Sequence, residues 1–600
     1  MKNSIKFLPY TIFFILIVIN SYLWTEIELP YFNSGEVIGL YSEKNYNSQN
    51  DTLRFILYIL TPLIIYFIFY SSINKIKYLD LKNKFIFNKK EENFTYYKQI
   101  FFLLLVFILF SYLSKNLPNY KLDIFHELHL LSGAYNLLEK NQFWKGSFIQ
   151  HGLFYDQINT VLSFKIFGIK SIGAYRIFQN LLNYFTSILL ILLCFSISKH
   201  LRLEKKLKFF FIIFLTLTAL YLLFEGPFNY RHIPIFLSLF FINEIFLYRN
   251  NNFYYFLLGF ISIFSFVWSI DVAAYLNAAL FIFIILLIFN KALNKILIIF
   301  SSIAICILII FLLIGNEEFV YFVKNTISQY RYADYYNGII HPEPFADVKN
   351  SSRATKIFIL FLIVGILIVK ELTKKNKKNN EYCLFLIFFY IFAFLNYKTG
   401  LSRSDGGHIN IGGSLILFLT LFLIYRKFFI YVEKNNFMRI KILRLSFILL
   451  IIICLKFSLF NGERSFTNIV NFKLNHSNLL IKKDDYFLND QYIKLKNKLV
   501  QLTSNIECFE SFNYESMYYL INKKSCTKFH YKFAFGSIDD QNQLLSELKV
   551  SNPKYILVGG PYDNWGISPS KRFSIVAKYI NQNYHDLMLI GEHKILVLRN

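Results

Sequence analysis

The stretch Ile296-Leu-Ile-Ile-Phe-Ser-Ser-Ile-Ala-Ile-Cys-Ile-Leu-Ile-Ile-Phe-Leu-Leu-Ile314 carries no charged side chain. A helix rises 1.5 Å per residue, so about 20 such residues cross the roughly 30 Å of bilayer hydrocarbon. The same pattern recurs at 7–24, 54–71, 99–115, 173–197, 209–224, 232–248, 252–267, 270–290, 355–371, 382–397, 409–428 and 443–460. With 295–314 itself this makes about 13 candidate spans. The 600-residue chain is 55% hydrophobic and only 17% charged. A soluble chain carries nearer a quarter charged residues and scatters its apolar ones at helix or strand period. A soluble globular protein is excluded. The expected fold is an all-α polytopic membrane bundle with a small C-terminal extracytoplasmic α/β domain.

The net charge of +26 admits a nucleic-acid partner only if the basic residues gather into a binding face. They gather elsewhere. With the N-terminus inside, the connections 72–98, 198–208, 249–251, 291–294, 372–381 and 429–442, with the adjoining span ends, hold roughly 28 Lys/Arg against about 7 acidic residues. The excess is the one cytoplasmic loops carry, so no nucleic acid is expected. The Lys/Asn run 374–380 is one of these loops. The first apolar run follows Lys2 and Lys6 without a small-residue cleavage site and reads as a signal anchor. The expected location is the inner (cytoplasmic) membrane, multi-pass, with the C-terminal domain outside. Three regions follow: 1–98 as a two-span extension, 99–460 as the main membrane unit with outer loops 116–172 and 315–354, and 461–600 as the outer domain.

That last region alternates strand-like and helical patterns. Strands are expected at 506–509, 528–535, 555–558, 587–590 and 594–598, and helices at 514–521, 540–548 and 571–580. Of the six cysteines, Cys194, Cys306, Cys383 and Cys454 lie in apolar runs. Cys508 and Cys526 flank the first tail helix, where an oxidising compartment permits a disulfide and two buried thiols are the alternative. No CxxC and no Cys/His zinc spacing is present, so no metal site is read from these motifs.

Chemistry has room in the outer loops. The first contains Lys121-Leu-Asp-Ile-Phe-His-Glu-Leu-His-Leu-Leu-Ser-Gly-Ala-Tyr135, then Gln150-His-Gly-Leu-Phe-Tyr-Asp156, then Phe167-Gly-Ile-Lys-Ser-Ile-Gly-Ala-Tyr-Arg176. Leu128, Leu131, Tyr135 and Leu138 recur at helical spacing, as in a helix lying at the membrane interface. Asp123 and Glu127 are four apart and share a face if that helix starts early, with His126 beside them. Such a rim accepts a proton from a hydroxyl or holds a cation. Equally, Asp123 caps the helix and Glu127 complements its dipole.

An Asp just after an early span, a loop helix, the Gln150–Asp156 turn with its small-Gly step and aromatics, and Phe-Gly-x-x-x-x-x-Ala-x-Arg entering the next span together resemble the GT-C superfamily. These are polyprenyl-phosphate-dependent integral membrane glycosyltransferases, similar in layout to protein O-mannosyltransferases and aminoarabinose transferases. The resemblance covers 99–460 in architecture and 123–176 in motif. It implies a catalytic role for Asp123, a lipid-linked sugar donor, and a glycan, lipid or protein acceptor. The family commonly has Asp-Glu or Asp-x-Asp where this chain has Asp-Ile-Phe-His-Glu, which leaves Glu127's role and the use of a divalent metal open. No cofactor is otherwise implied.

Further polar residues sit at the outer span ends. Leu401-Ser-Arg-Ser-Asp-Gly-Gly-His408 offers Arg403, Asp405 and His408 to a lipid-linked phosphate, with His126, His151 and Asp156 as further substrate contacts. The alternatives are headgroup anchoring by Arg403, pairing of Asp405 with it, and a helix start at His408. Asp271 in Trp268-Ser-Ile-Asp271, and Arg331 and Tyr332 in the Tyr-rich loop, are possible contacts, though interface tyrosines commonly form an aromatic belt. Arg231 and Arg176 read as snorkelling or paired. In the tail, Tyr562 and Trp565 of Gly559-Gly-Pro-Tyr-Asp-Asn-Trp-Gly566 offer rings to carbohydrate, or form an ordinary loop. The expected function is transfer of a sugar, with inversion, from a polyprenyl-phosphate carrier at the outer face. The alternatives are a transporter or flippase, or a ligase or polymerase, for lipid-linked glycans. Transport is disfavoured because the span centres are nearly free of charge.

Overall fold

The computed structural model describes residues 2–74, 97–114, 117–201, 203–224, 226–374, 380–435 and 467–599. Among these, nine helices are long and apolar enough to cross a membrane. They include Asn50–Ile73, Ile172–Ser198, Lys205–Phe224, Ile270–Phe289, Ser351–Thr373 and Gly406–Lys434. Three other predicted spans coincide with shorter apolar helices, Phe7–Tyr22, Leu104–Leu113 and Asn252–Trp268. The predicted span 443–460 lies outside the described residues. Nine helices of spanning length thus stand where about 13 spans were expected.

Local chemistry sets the helix ends. Ser171 caps Ile172–Ser198 by accepting the Ala174 N–H, and Pro234 occupies the first turn of Ile233–Leu247, where its missing N–H costs nothing. Apolar burial between helices gains little in lipid, so packing decides their association. The rings of Phe246, Phe283 and Phe388 meet at centroid distances of 5.6–6.0 Å. Gly259 lets two backbones close up, since a Cβ there would lie 2.5 Å from the Ile299 carbonyl oxygen.

The region that follows Ile314 departs most from expectation. The helix containing Ile296–Ile314 does not end with the apolar run: it breaks at Gly315 (φ 80°, ψ 167°) and resumes to Asn337. Only glycine takes that conformation without strain. Most of the expected loop 315–354 is therefore helical as far as Asn337.

The C-terminal region forms a five-stranded sheet of β1 (Cys508–Phe512), β2 (Lys524–Ser525), β3 (Tyr555–Gly559), β4 (Tyr584–Ile590) and β5 (His593–Leu598). The order is β2-β1-β3-β5-β4, with β1 parallel to β2 and β3, and β5 antiparallel to β3 and β4. Helices Ile538–Ser551 and Ser574–Asn583 fall near the predicted 540–548 and 571–580. Cys508 and Cys526 are disulfide-bonded. The predicted strand 528–535 is not a strand. Its alternation of ring and polar residue is satisfied by burial on both faces: Phe529 and Phe535 enter the domain core, and Lys532 pairs with Glu510, both fully buried. Two helices escaped the sequence reading, Phe472–Ile481 and Asp490–Thr503. Tyr492, Leu495 and Leu499, all buried in the second, carry a helical stripe that could have revealed it.

The helix expected to lie on the membrane, Glu127–Lys140, is instead enclosed by this domain. Leu128 and Leu131 are fully buried in one core with Leu495, Leu499, Phe509 and Ile595. Its polar residues His129, Ser132 and Asn136 are buried too. Ser132 donates to the Ser516 carbonyl, Asn136 exchanges hydrogen bonds with Ser525, and Lys140 reaches the Thr527 carbonyl at 2.8 Å. A side that reads as solvent-facing is satisfied by a segment nearly 400 residues away, beyond the reach of any periodicity rule.

Candidate active site

Asp123 occupies the turn before Glu127–Lys140. Its Oδ1 accepts the backbone N–H groups of Phe125 and His126, and its Oδ2 lies 2.8 Å from His126 Nδ1. It thus closes the turn that leads into the helix and does something more, because its side chain is 45% exposed and faces a cavity. Burial alone would raise its pKa. Hydrogen bonds from the His126 ring and backbone outweigh that and hold the carboxyl down to about 2. A carboxylate so weakly basic orients and stabilises better than it takes protons.

Glu127 does not share that face. The helix starts at Glu127 rather than at Asp123, and Arg176 grips the Glu127 carboxylate through Nε at 3.0 Å and Nη2 at 2.7 Å. Arg176 is 2% exposed and also donates to the Tyr120 carbonyl. Glu127 therefore turns to a separate 590 Å³ cavity lined by Tyr120, Tyr155, Tyr175 and Asn180. The expected carboxylate pair is dissolved by an arginine that the sequence reading left as a minor candidate.

The cavity at Asp123 measures 540 Å³ and is lined also by Phe125, His126, Arg403, Phe533, Tyr562, Asp563, Asn564 and Trp565. Asp123 and Arg403 thus face one space. Arg403 pairs with Asp405 through Nε at 3.0 Å, and among the described residues its terminal NH2 groups have no hydrogen-bond partner. Asp405 also caps Gly406–Lys434, accepting the His408 N–H at 2.9 Å and lying 2.8 Å from its Nδ1. The capping and pairing alternatives for Asp405 and His408 both hold, leaving Arg403 as the group this loop offers.

The remaining wall comes from the C-terminal domain. Tyr562 stacks on Phe125 at 5.7 Å, and the Arg403 guanidinium sits 5.6 Å from the Trp565 ring and 5.7 Å from that of Phe533. Trp565 has φ +58°, rare for a large side chain, and its turn is tied down by the Asn564 amide donating to the Tyr336 carbonyl at 2.6 Å. Phe533 was not foreseen, because 528–535 was assigned to the tail's own sheet. Its signal is the alternation Phe529, Tyr531, Phe533, Phe535.

Arg403 also lines a second cavity of 280 Å³, with His151, Arg231, Asp271, Tyr275, Gln329, Asp334, Lys398 and His408. Arg231 pairs with Asp271 at 2.6 Å and Lys398 with Asp334 at 2.8 Å. His151 Nδ1 lies 3.0 Å from Asp156 Oδ1, while Asp156 Oδ2 accepts the N–H groups of Gln150 and His151 at 2.8 Å each. Asp271, His151 and His408 are therefore brought together. Arg331 and Tyr332 are not. Arg331 is exposed, and Tyr332 packs toward Gly35 with Tyr41 and Tyr335, because their segment is a helix rather than a loop. That same helix delivers Gln329, Tyr330 and Asp334 to the cavity.

No protein-family model matches the chain, and no curated protein and no solved structure is similar to it.

Proposed function

We propose that this protein is an inverting membrane glycosyltransferase that takes a sugar from a polyprenyl-phosphate donor and passes it to an acceptor at the outer face of the cytoplasmic membrane. One observation carries the reading: Asp123 with its bound His126, and Arg403, line a single cavity whose other walls are four aromatic rings together with Asp563 and Asn564. Sugars stack on rings, phosphates are held by guanidinium groups, and hydroxyls are activated by an oriented imidazole. The disulfide Cys508–Cys526 accords with a C-terminal domain outside the cytoplasm.

His126 Nδ1–H donates to Asp123 Oδ2, which leaves Nε2 as the nitrogen with a lone pair. The acceptor hydroxyl gives its proton to Nε2 as its oxygen attacks the anomeric carbon. The bond from that carbon to the phosphate oxygen breaks on the opposite side, and polyprenyl phosphate leaves as an anion beside Arg403. Asp123 holds the imidazole and stabilises the imidazolium, as the carboxylate of a Ser-His-Asp triad does.

The test is transfer from a radiolabelled polyprenyl-phosphate sugar by the purified chain in nanodiscs. Asp123→Asn and His126→Gln will lower turnover by about a hundredfold or more, the size of a general-base contribution, with insertion unchanged. Arg403→Ala will raise the KM for the donor. Turnover near the wild-type rate in both Asp123→Asn and His126→Gln defeats the reading.

A further inference from the structure

Behind the second cavity the fold assembles three groups of metal-ligand type from separate parts of the outer loop. A ring nitrogen of His129, a ring nitrogen of His151 and a carboxylate oxygen of Asp156 all lie within 4.8 Å of one another. Sequence spacing gives no hint of this, since His129 belongs to the helix Glu127–Lys140 and Asp156 to the short helical turn Phe154–Ile158.

The His129 ring is prepared as a ligand. It is 7% exposed, stacked on Tyr531 at 4.3 Å and 11°, and its Nδ1 lies 3.2 Å from the Phe125 carbonyl. Donation by Nδ1–H to that carbonyl leaves the lone pair on Nε2. Among the described residues, that buried Nε2 has no hydrogen-bond partner. A buried acceptor left unpaired costs about 1–3 kcal/mol, a cost that a bound ligand would relieve. Backbone carbonyls that fix the tautomer in this way are the usual outer shell of metal-bound histidine. Asp156 is prepared likewise: Oδ2 is held by two backbone N–H groups, and Oδ1 is turned to His151.

We propose that His129, His151 and Asp156 bind one divalent transition-metal ion, zinc in preference to magnesium or calcium. Two imidazoles and one carboxylate suit zinc, whereas the hard cations want oxygen throughout. Three protein ligands leave a fourth position for an exchangeable group. His151 lines the 280 Å³ cavity, where Arg231 and Lys398 are paired with Asp271 and Asp334 and the Arg403 guanidinium is a further cation, so that position lies toward a space in which cations outnumber anions. A phosphate oxygen is the chemistry that fits there, and the bound ion would supply Lewis-acid charge to it. The site stands whether or not the chain transfers sugar, because its test reads metal rather than turnover.

The full-length protein, purified in detergent, stripped with a chelator and reloaded with zinc, is measured for bound metal after gel filtration. Wild type will retain about one zinc per chain, the occupancy of a single three-ligand site. His129→Gln and His151→Gln, checked for monodisperse elution, will retain at least tenfold less, and His126→Gln, whose imidazole is exposed, will match wild type. Cobalt in place of zinc will show a visible absorption band that His129→Gln abolishes. No retention by wild type overturns the proposal, as does equal retention by His129→Gln.

Discussion

Arg176 holds both oxygens of Glu127, at 2.7 and 3.0 Å, while being only 2% exposed itself. The pair ties the entry of Ile172–Ser198 to the first turn of Glu127–Lys140 and, through the Tyr120 and Lys121 carbonyls, to the segment leading to Asp123. Its role is to place Asp123. Glu127→Ala would leave a buried guanidinium unpaired, at a cost of about 3–5 kcal/mol. Thermal unfolding in detergent will show that loss, whereas Glu127→Gln, which keeps an acceptor for Arg176, will lose less and retain turnover. Loss of turnover in Glu127→Gln with unchanged stability would place Glu127 in the chemistry instead.

The ring of Trp565 is offered to the cavity at the expense of a left-handed backbone. Ring stacking contributes about 0.5–1.5 kcal/mol beyond area burial, so Trp565→Ala will raise KM roughly 2- to 10-fold with kcat nearly unchanged. Steady-state kinetics with varied acceptor and donor will show which substrate the ring serves. A drop confined to kcat would remove Trp565 from substrate binding.

Cys508 and Cys526 close a loop of sequence separation 18, for which chain entropy predicts stabilisation of about 3 kcal/mol. Dithiothreitol will lower the unfolding midpoint of the wild type and leave the Cys508→Ser/Cys526→Ser variant unaffected. Equal sensitivity of the two would show that the bond does not support the domain.

His341 lies between spanning helices, stacked on Phe358 at 5.3 Å and within 3.0 Å of the Tyr397 hydroxyl. Burial, aided by the charge of Arg54 and only partly offset by the Pro342 carbonyl, holds its pKa down to about 3. Unfolding frees it to titrate near 6.5, so the unfolded chain binds the extra proton first. The stability from this group is fully present above about pH 6.5 and is lost as pH falls toward 3. Unfolding midpoints measured from pH 7.5 to 5 will fall less steeply in His341→Gln than in the wild type. Parallel curves would mean that His341 is not neutral in the fold.

The bundle was legible because an uncharged apolar run has few other uses: the lengths of 54–71 and 409–428 alone announce Asn50–Ile73 and Gly406–Lys434. The strand at Tyr555–Gly559 and the helix Ile538–Ser551 were legible by the same kind of local pattern. Asp123, Arg403, Tyr562 and Trp565 could each be named from residue type and position at an outer span end or tail loop. Their meeting in one cavity could not, because no local rule relates a turn at 123 to a loop at 562.

What the sequence determined by itself is whatever a short window encodes: helices of spanning length, a mixed α/β tail, and polar residues held at one side of apolar runs. Which charges find each other across the fold is set by tertiary packing. Glu127 went to Arg176, Lys398 to Asp334, and His129 to a place beside His151 and Asp156. The physical reason is that a buried charge or ring nitrogen is costly until paired, and its partner is chosen by the packing of distant elements.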